Sequence, residues 1–288
     1  MSSLKLSFFP TFMPAKNEHM KKLIPVLFLF LPLSILAQSV TLKPVCNVSF
    51  MRGGKGSVRL NGYLYSLDYY NALQKTNLST GETTKLGKEF FTDVRFFFGL
   101  RNKLYIVESS GATKQIDTNT GEWNLVMSSG SWVEVSRIIT VGNNLYSVKN
   151  GTLCQHYTFN SEKYKELGDP EFFTSMALMY TDSTLHSVID KTVYRIEIGT
   201  GEWKKIATDK AWRNFSAGAV IGEKLFSVEN PSSLVVTTLK DGVRKVLDEK
   251  QFMQSRMLFP DNGKLYYINN NYELFEVVID ETAPKPAS

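Results

Sequence analysis

A leucine followed by an aromatic residue or histidine returns through this chain at nearly constant spacing. The pairs are Leu64-Tyr65, Leu104-Tyr105, Leu145-Tyr146, Leu185-His186, Leu225-Phe226 and Leu265-Tyr266, at intervals of 40, 41, 40, 40 and 40 residues. Thirteen residues before each leucine stands Met51, Phe91, Trp132, Phe172, Trp212 or Phe252. Several copies also carry a glycine turn at one phase: Ser79-Thr80-Gly81-Glu82, Asn119-Thr120-Gly121-Glu122 and Gly199-Thr200-Gly201-Glu202. Internal repetition of this length restricts a chain to solenoids, propellers or related arrays.

Each copy reads as four short strands. In the third copy they are Val133 to Val141, Leu145 to Val148, Thr152 to Phe159 and Tyr164 to Leu167, separated by turn formers such as Gly142-Asn143-Asn144 and Asn150-Gly151. Short runs punctuated by Gly and Asn mark β structure, and a helical repeat would need apolar residues at a 3.6-residue period, which is absent. Four antiparallel strands in roughly 40 residues is the arithmetic of a propeller blade. The predicted fold is therefore an all-β, six-bladed β-propeller. The last copy stops after its third strand, Glu273 to Asp280, while Val40 to Val45 stands at the phase of a fourth strand. An N-terminal strand is expected to complete the last blade and so remove an open edge.

The predicted domains are a leader at 1–37, the propeller at 38–281 and a Pro-rich tail at 282–288. Within the leader, residues 1–19 are read as an over-extended start. Met20-Lys21-Lys22 is a basic n-region, Leu23 to Leu36 is uncharged and apolar with Pro25 and Pro32, and Ala37-Gln38-Ser39 offers small residues for cleavage. That pattern predicts a secretory signal peptide at 20–37, with no transmembrane segment after its removal. Of the net charge of +5, the leader supplies four Lys and one Glu, leaving 29 basic and 27 acidic residues beyond it. So balanced a domain gives no reason to expect nucleic acid as a partner. Cys46 and Cys154 fall on blades across the ring, too far apart for a disulfide, and both are expected as free thiols.

The candidate binding residues come from the first strand of each blade. Two residues past the aromatic, the column reads Gly53, Asp93, Glu134, Thr174, Asn214 and Gln254; two further on it reads Lys55, Arg95, Ser136, Met176, Ser216 and Arg256. The next alternate column, Ser57, Phe97, Ile138, Leu178, Gly218 and Leu258, turns mostly apolar. Because alternate residues share a strand face, this predicts a polar channel mouth above an apolar throat. One reading of the mouth is a ligand site formed by Asp93, Glu134, Asn214, Gln254, Lys55, Arg95 and Arg256. The other is a solvated channel whose charges pair with one another. The aromatic column Phe91, Trp132, Phe172, Trp212 and Phe252 is either a set of exposed platforms for sugar rings or the packing between blades.

Catalytic patterns are thin. Beyond the leader only His156 and His186 occur, and His186 fills a tyrosine position of the repeat. No His-Glu-x-x-His, Cys-x-x-Cys, Gly-x-Ser-x-Gly or phosphate-loop spacing is present, so no catalytic residue, metal site or cofactor is predicted.

Repeat length, blade phase and leader together resemble six-bladed β-propellers of TolB-like architecture. The stretch Asp117 to Trp123 is similar to the turn of quinoprotein-type propeller repeats, while the double glycine of kelch blades is missing. The complete ring, the near-neutral surface and the missing catalytic set predict an exported, periplasmic or extracellular, non-catalytic binding propeller whose partner is a protein, peptide or glycan. The alternative is a calcium-dependent hydrolase of gluconolactonase or paraoxonase type, for which Asp93, Glu134 and Asn214 are oxygen ligands of the right kind.

Overall fold

The computed structural model describes residues 39–47, 56–128, 132, 134–157, 164–169, 172, 175–181, 184–229 and 232–280. The predicted leader, the tail, and Met51, Gly53, Lys55 and Thr174 lie outside the described residues. Six four-stranded antiparallel sheets form the blades of a β-propeller. Blade one holds β2 (Ser57–Leu60), β3 (Tyr63–Leu67), β4 (Ala72–Asn77) and β5 (Thr83–Phe90). Blade two holds β6 (Val94–Leu100), β7 (Lys103–Glu108), β8 (Thr113–Asp117) and β9 (Trp123–Met127). Blade three holds β10 (Val135–Val141), β11 (Asn144–Lys149), β12 (Thr152–His156) and β13 (Tyr164–Leu167). Blade four holds β14 (Ser175–Thr181), β15 (Thr184–Ile189), β16 (Thr192–Glu197) and β17 (Trp203–Thr208), followed by a short 3-10 turn at Lys210–Asn214. Blade five holds β18 (Ala217–Ile221), β19 (Lys224–Glu229), β20 (Ser233–Thr238) and β21 (Arg244–Asp248).

Blade six combines both ends of the domain. Its strands β22 (Met257–Asp261), β23 (Lys264–Ile268) and β24 (Glu273–Asp280) are completed by β1 (Ser39–Asn47), in the order β1-β24-β23-β22. The register runs from Ser39 opposite Asp280 to Asn47 opposite Glu273, with a bulge between Pro44 and Cys46. Pro44 is tolerated because β1 is an outer strand, where a missing N–H costs no ladder bond.

The aromatic column packs between the blades. Phe91, Trp132, Phe172, Trp212 and Phe252 are all buried, at 0–3 % exposure. Phe91 sits among Leu67 and Leu73 of blade one and Leu104 and Ile106 of blade two. Trp132 stands between Tyr105 of blade two and Leu145 of blade three, and Trp212 between Val188 of blade four and Leu225 of blade five. Phe172 and Phe252 fill the corresponding wedges. At about 25 cal/mol per Å² of apolar surface removed from water, each large ring contributes several kcal/mol. The sugar-platform reading of these five residues is thus set aside.

The glycine turns also face a neighbouring blade. Gly121 has φ +76°, and a Cβ there would stand 2.6 Å from the Gly87 nitrogen of blade one. Gly242 has φ +73°, and a Cβ there would lie 2.7 Å from Ala207 Cβ of blade four. Left-handed backbone and close approach both demand glycine at these positions.

A buried ion network joins blades four and five. Glu229, fully buried at the end of β19, accepts from Ser227 Oγ at 2.5 Å and from Arg244 Nη2. Arg244 Nη1 pairs with Asp209, and its guanidinium lies 4.7 Å from the Trp212 ring centroid. The two ends of the repeat give distinct expectations. Removing residues 39–47 should leave β24 as an open edge, so the shortened protein is expected to aggregate on size-exclusion chromatography while the longer one elutes as a single species. Glu229→Ala should leave the Arg244 guanidinium facing a lost partner and reduce stability by about 3–5 kcal/mol in urea unfolding. A Glu229→Met/Arg244→Met double variant is expected to recover part of that loss.

Candidate functional site

The described members of the predicted polar set stand at the start of the first strands, and most have a local partner. Asp93 Oδ1 accepts from Ser109 Oγ at 2.7 Å, Glu134 Oε2 from Asn150 Nδ2 at 3.1 Å, and Gln254 Oε1 from Asn270 Nδ2 at 2.8 Å. The sequence separation is 16 in all three, so each residue buttresses the hairpin between the second and third strands of its own blade. Lys149 Nζ also approaches Glu134, at 3.5 Å. Arg95 reaches across to blade three, donating from Nη1 to Trp132 O at 2.8 Å and from Nη2 to Val135 O at 2.7 Å. Arg256 lies 4.2 Å from the Tyr272 ring centroid and donates from Nε to Asn270 Oδ1 at 3.1 Å. Asn214 is exposed after the 3-10 turn. Among the described residues no three His, Cys, Asp or Glu side chains gather as a metal cluster.

The apolar throat is formed as the third column implies. Ser57, Phe97, Ile138, Leu178 and Gly218 line a central cavity of about 260 Å³, together with Met257 and Pro260 from blade six. Leu258, the sixth member of the column, instead packs between blades five and six.

The throat opens at the other ring face into a polar depression of about 420 Å³. Arg59, Thr140 and Tyr180 line both spaces. Arg59 Nη1 pairs with Asp261 Oδ1 of blade six at 3.0 Å, and its Nη2 lies 3.4 Å from the Tyr180 hydroxyl of blade four. One guanidinium thereby joins three blades across the channel. The Asp261 side chain is 5 % exposed, whereas that of Arg59 is 32 % exposed. Around them stand Arg101, Asn143, Asn262 and the Asn61–Asn102 pair, whose side chains bond at 3.0 Å. Asn61, Asn102 and Asn262, in the turns after the first strands of blades one, two and six, hold their amides at the rim in left-handed backbone.

The column analysis stopped one step short of this layer. The next alternate column is Arg59, Gly99, Thr140, Tyr180, Val220 and Pro260, in which Arg59 and Tyr180 are the long polar members. Beside it, Leu60, Leu100, Val141, Thr181 and Ile221 are followed by Asp261, the one acid in an otherwise acid-free column.

The other reactive side chains are buried or, for Cys46, partly buried. Cys46 and Cys154 are free, and burial pushes the Cys154 thiol up to about 11, away from thiolate chemistry. His156 contacts Ser147 Oγ at 2.8 Å and packs against the Trp132 and Tyr164 rings. Burial, with Lys149 near His156 and Arg195 near His186, lowers both imidazoles from 6.5 to about 4.

The chain matches no protein-family model and no curated protein. Its fold is similar to several solved structures. An auxiliary nutrient binding protein from Bacteroides thetaiotaomicron VPI-5482 aligns with a TM-score of 0.54 and 8% identity, over 82% of this chain and 69% of that one. Virginiamycin B lyase from Staphylococcus aureus aligns with a TM-score of 0.53 and 12% identity, over 83% and 88%. The extracellular domain of a putative one-component system from B. thetaiotaomicron aligns at 0.52 and 14%, over 78% of this chain and 32% of that chain. The present chain thus spans about a third of the length of that last structure. At these identities the likeness establishes the propeller fold. No helix among the described residues is long and apolar enough to cross a membrane.

Because both histidines are held neutral, the unfolded chain takes up protons that the folded one refuses between pH 6.5 and about 4. Stability is therefore full above pH 6.5 and falls as pH drops through that window, by on the order of 2 kcal/mol for each histidine. Urea midpoints measured from pH 7 to 4 should show this slope, and a His156→Gln/His186→Phe double variant should flatten it.

Proposed function

We propose that this chain is an exported binding propeller that takes a polar group of a peptide, protein or glycan ligand at the Arg59–Tyr180–Asp261 mouth. The observation that carries this reading is the Arg59 guanidinium, held by the buried Asp261 carboxylate while about a third of its own side chain faces solvent. A guanidinium oriented in this way keeps donors available for a carboxylate or vicinal hydroxyls. The depression in front of it is of ligand size, and the throat below supplies an apolar floor. Export is supported by the Met20 to Ala37 pattern. The nutrient-binding and extracellular descriptions of two fold neighbours agree with it. The opposite rim, with Asp93, Glu134, Asn214, Gln254, Arg95 and Arg256, is proposed as a secondary contact surface for a larger partner, to which Lys55 is assigned from the sequence pattern alone.

The test is a thermal-shift screen with acidic monosaccharides, neutral oligosaccharides and short peptides, followed by calorimetry of the compounds that bind. A ligand at ~100 times its dissociation constant should stabilise the protein by about 2.7 kcal/mol. Tyr180→Phe should weaken that binding, and Arg59→Gln/Asp261→Asn, which removes both charges together, should abolish it. Unchanged affinity in both variants would move the site away from this mouth.

A further inference from the structure

A second cavity, of about 550 Å³, lies between blades four and five. It reaches the same ring edge as the Arg59 mouth, between the turn at Thr181 and Thr184 and the turn at Gly222-Glu223. Its wall contains a row of directly opposed residues across three strands. His186 of β15 stands opposite Arg195 of β16, and Arg195 opposite Lys204 of β17. Opposed residues share a sheet face, and like charges placed so are destabilising.

No other blade carries such a row. The same positions read Tyr65-Lys75-Thr84 in blade one and Tyr105-Gln115-Asn124 in blade two. They read Tyr146-Gln155-Lys165 in blade three and Phe226-Val236-Lys245 in blade five. In blade six the lysine, Lys43, faces Glu276. Each of these rows contains at most a single cation, and that of blade two contains none. Blade four alone combines an arginine, a lysine and an imidazole.

The surroundings add positive charge. Lys205 and Lys240 line the same cavity, giving four cations against the carboxylates of Glu223 and Asp241. Arg195 has one partner, the half-exposed Glu197 at 3.2 Å. Lys204, Lys205 and Lys240 form no ion pair among the described residues. At the inner wall His186 is 3 % exposed, and its Nδ1 has no hydrogen-bond partner among the described residues. An unmade hydrogen bond at a buried nitrogen is unfavourable, because the group has lost its water without gaining a partner. A ligand oxygen entering the cavity would remove that cost and offset the row of cations at once.

We propose that this groove binds an oxyanion of the phosphate or sulfate class, with Arg195, Lys204 and Lys240 as its cationic contacts and His186 Nδ1–H as the buried donor. Guanidinium and ammonium groups converging with a neutral N–H suit three acceptor oxygens. The neighbouring groove shows the contrast. Between blades five and six, Phe226 and Val236 stand at the positions of His186 and Arg195 and line the groove together with Leu247, Val277 and Ile279. This site is separate from the Arg59 mouth and does not depend on the function proposed for it.

Isothermal titration with inorganic phosphate and inorganic sulfate tests the proposal, with a monosulfated disaccharide as a third probe. Saturable binding of at least one anion is expected, and Arg195→Gln and Lys240→Gln should each weaken it about tenfold, the loss of one charge-assisted contact. His186→Phe places the blade-five residue in blade four, so the fold should tolerate it while affinity falls. Lys88→Gln, which removes an exposed cation of blade one, should leave affinity unchanged. Tighter binding of the disaccharide identifies an ester-borne anion, and equal binding a free one. No saturable binding, or an equal loss in Lys88→Gln, would overturn the proposal.

Discussion

The ring depends on one pairing, that of β1 with β24. Each inner blade is built from consecutive strands and could form locally, but blade six needs a strand from the opposite end of the domain. Antiparallel pairing along the whole of β1 replaces two open edges with a ladder. Closure also sets the geometry of the channel. Arg59 and Asp261 are 202 residues apart, and they meet because blade six has been brought beside blade one. Without that closure the polar mouth has no carboxylate to orient its guanidinium.

Within the ring, the repeat handles packing uniformly and chemistry locally. The buried aromatic column and the left-handed glycines that touch the neighbouring blade serve the same purpose in successive copies. Polar chemistry stands where a copy departs from its column. Asp261 replaces an apolar residue or threonine, His186 replaces an aromatic, and Arg195 takes a position that is a glutamine or valine in three other blades. Each departure buries or crowds a polar group, which a packing role alone does not require. The Glu229–Arg244–Asp209 network is a departure of another kind, in which both Nη atoms of Arg244 are paired with carboxylates of the ring itself.

The two rims differ in how their polar groups are used. On the rim predicted from the sequence, Asp93, Glu134 and Gln254 each hold a hairpin of their own blade, with the same separation of 16 residues. These contacts recur with the repeat, as expected of a scaffold device. At the opposite face the contacts of Arg59 with Asp261 and Tyr180 cross blades and have no counterpart in the other copies. A contact that does not recur in a repeated fold owes its existence to something other than the repeat.

The sequence by itself determined the blade count, the four strands per blade, the closing strand and the apolar throat. All of these follow from local rules. Side chains alternate with a period of two, glycine marks left-handed turns, and a 40-residue spacing survives averaging over six copies. It also placed the five aromatics at one equivalent position, without deciding whether they faced solvent or a neighbouring blade. Tertiary structure decided that, by packing each ring into a wedge. It alone decided which polar residues meet. Asp93 and Glu134 looked like partners because they share a column, yet each finds a nearer group in its own hairpin. Arg59 and Tyr180 share a column and Asp261 stands one residue beyond it, but only the closed ring brings blades one, four and six within reach of one guanidinium.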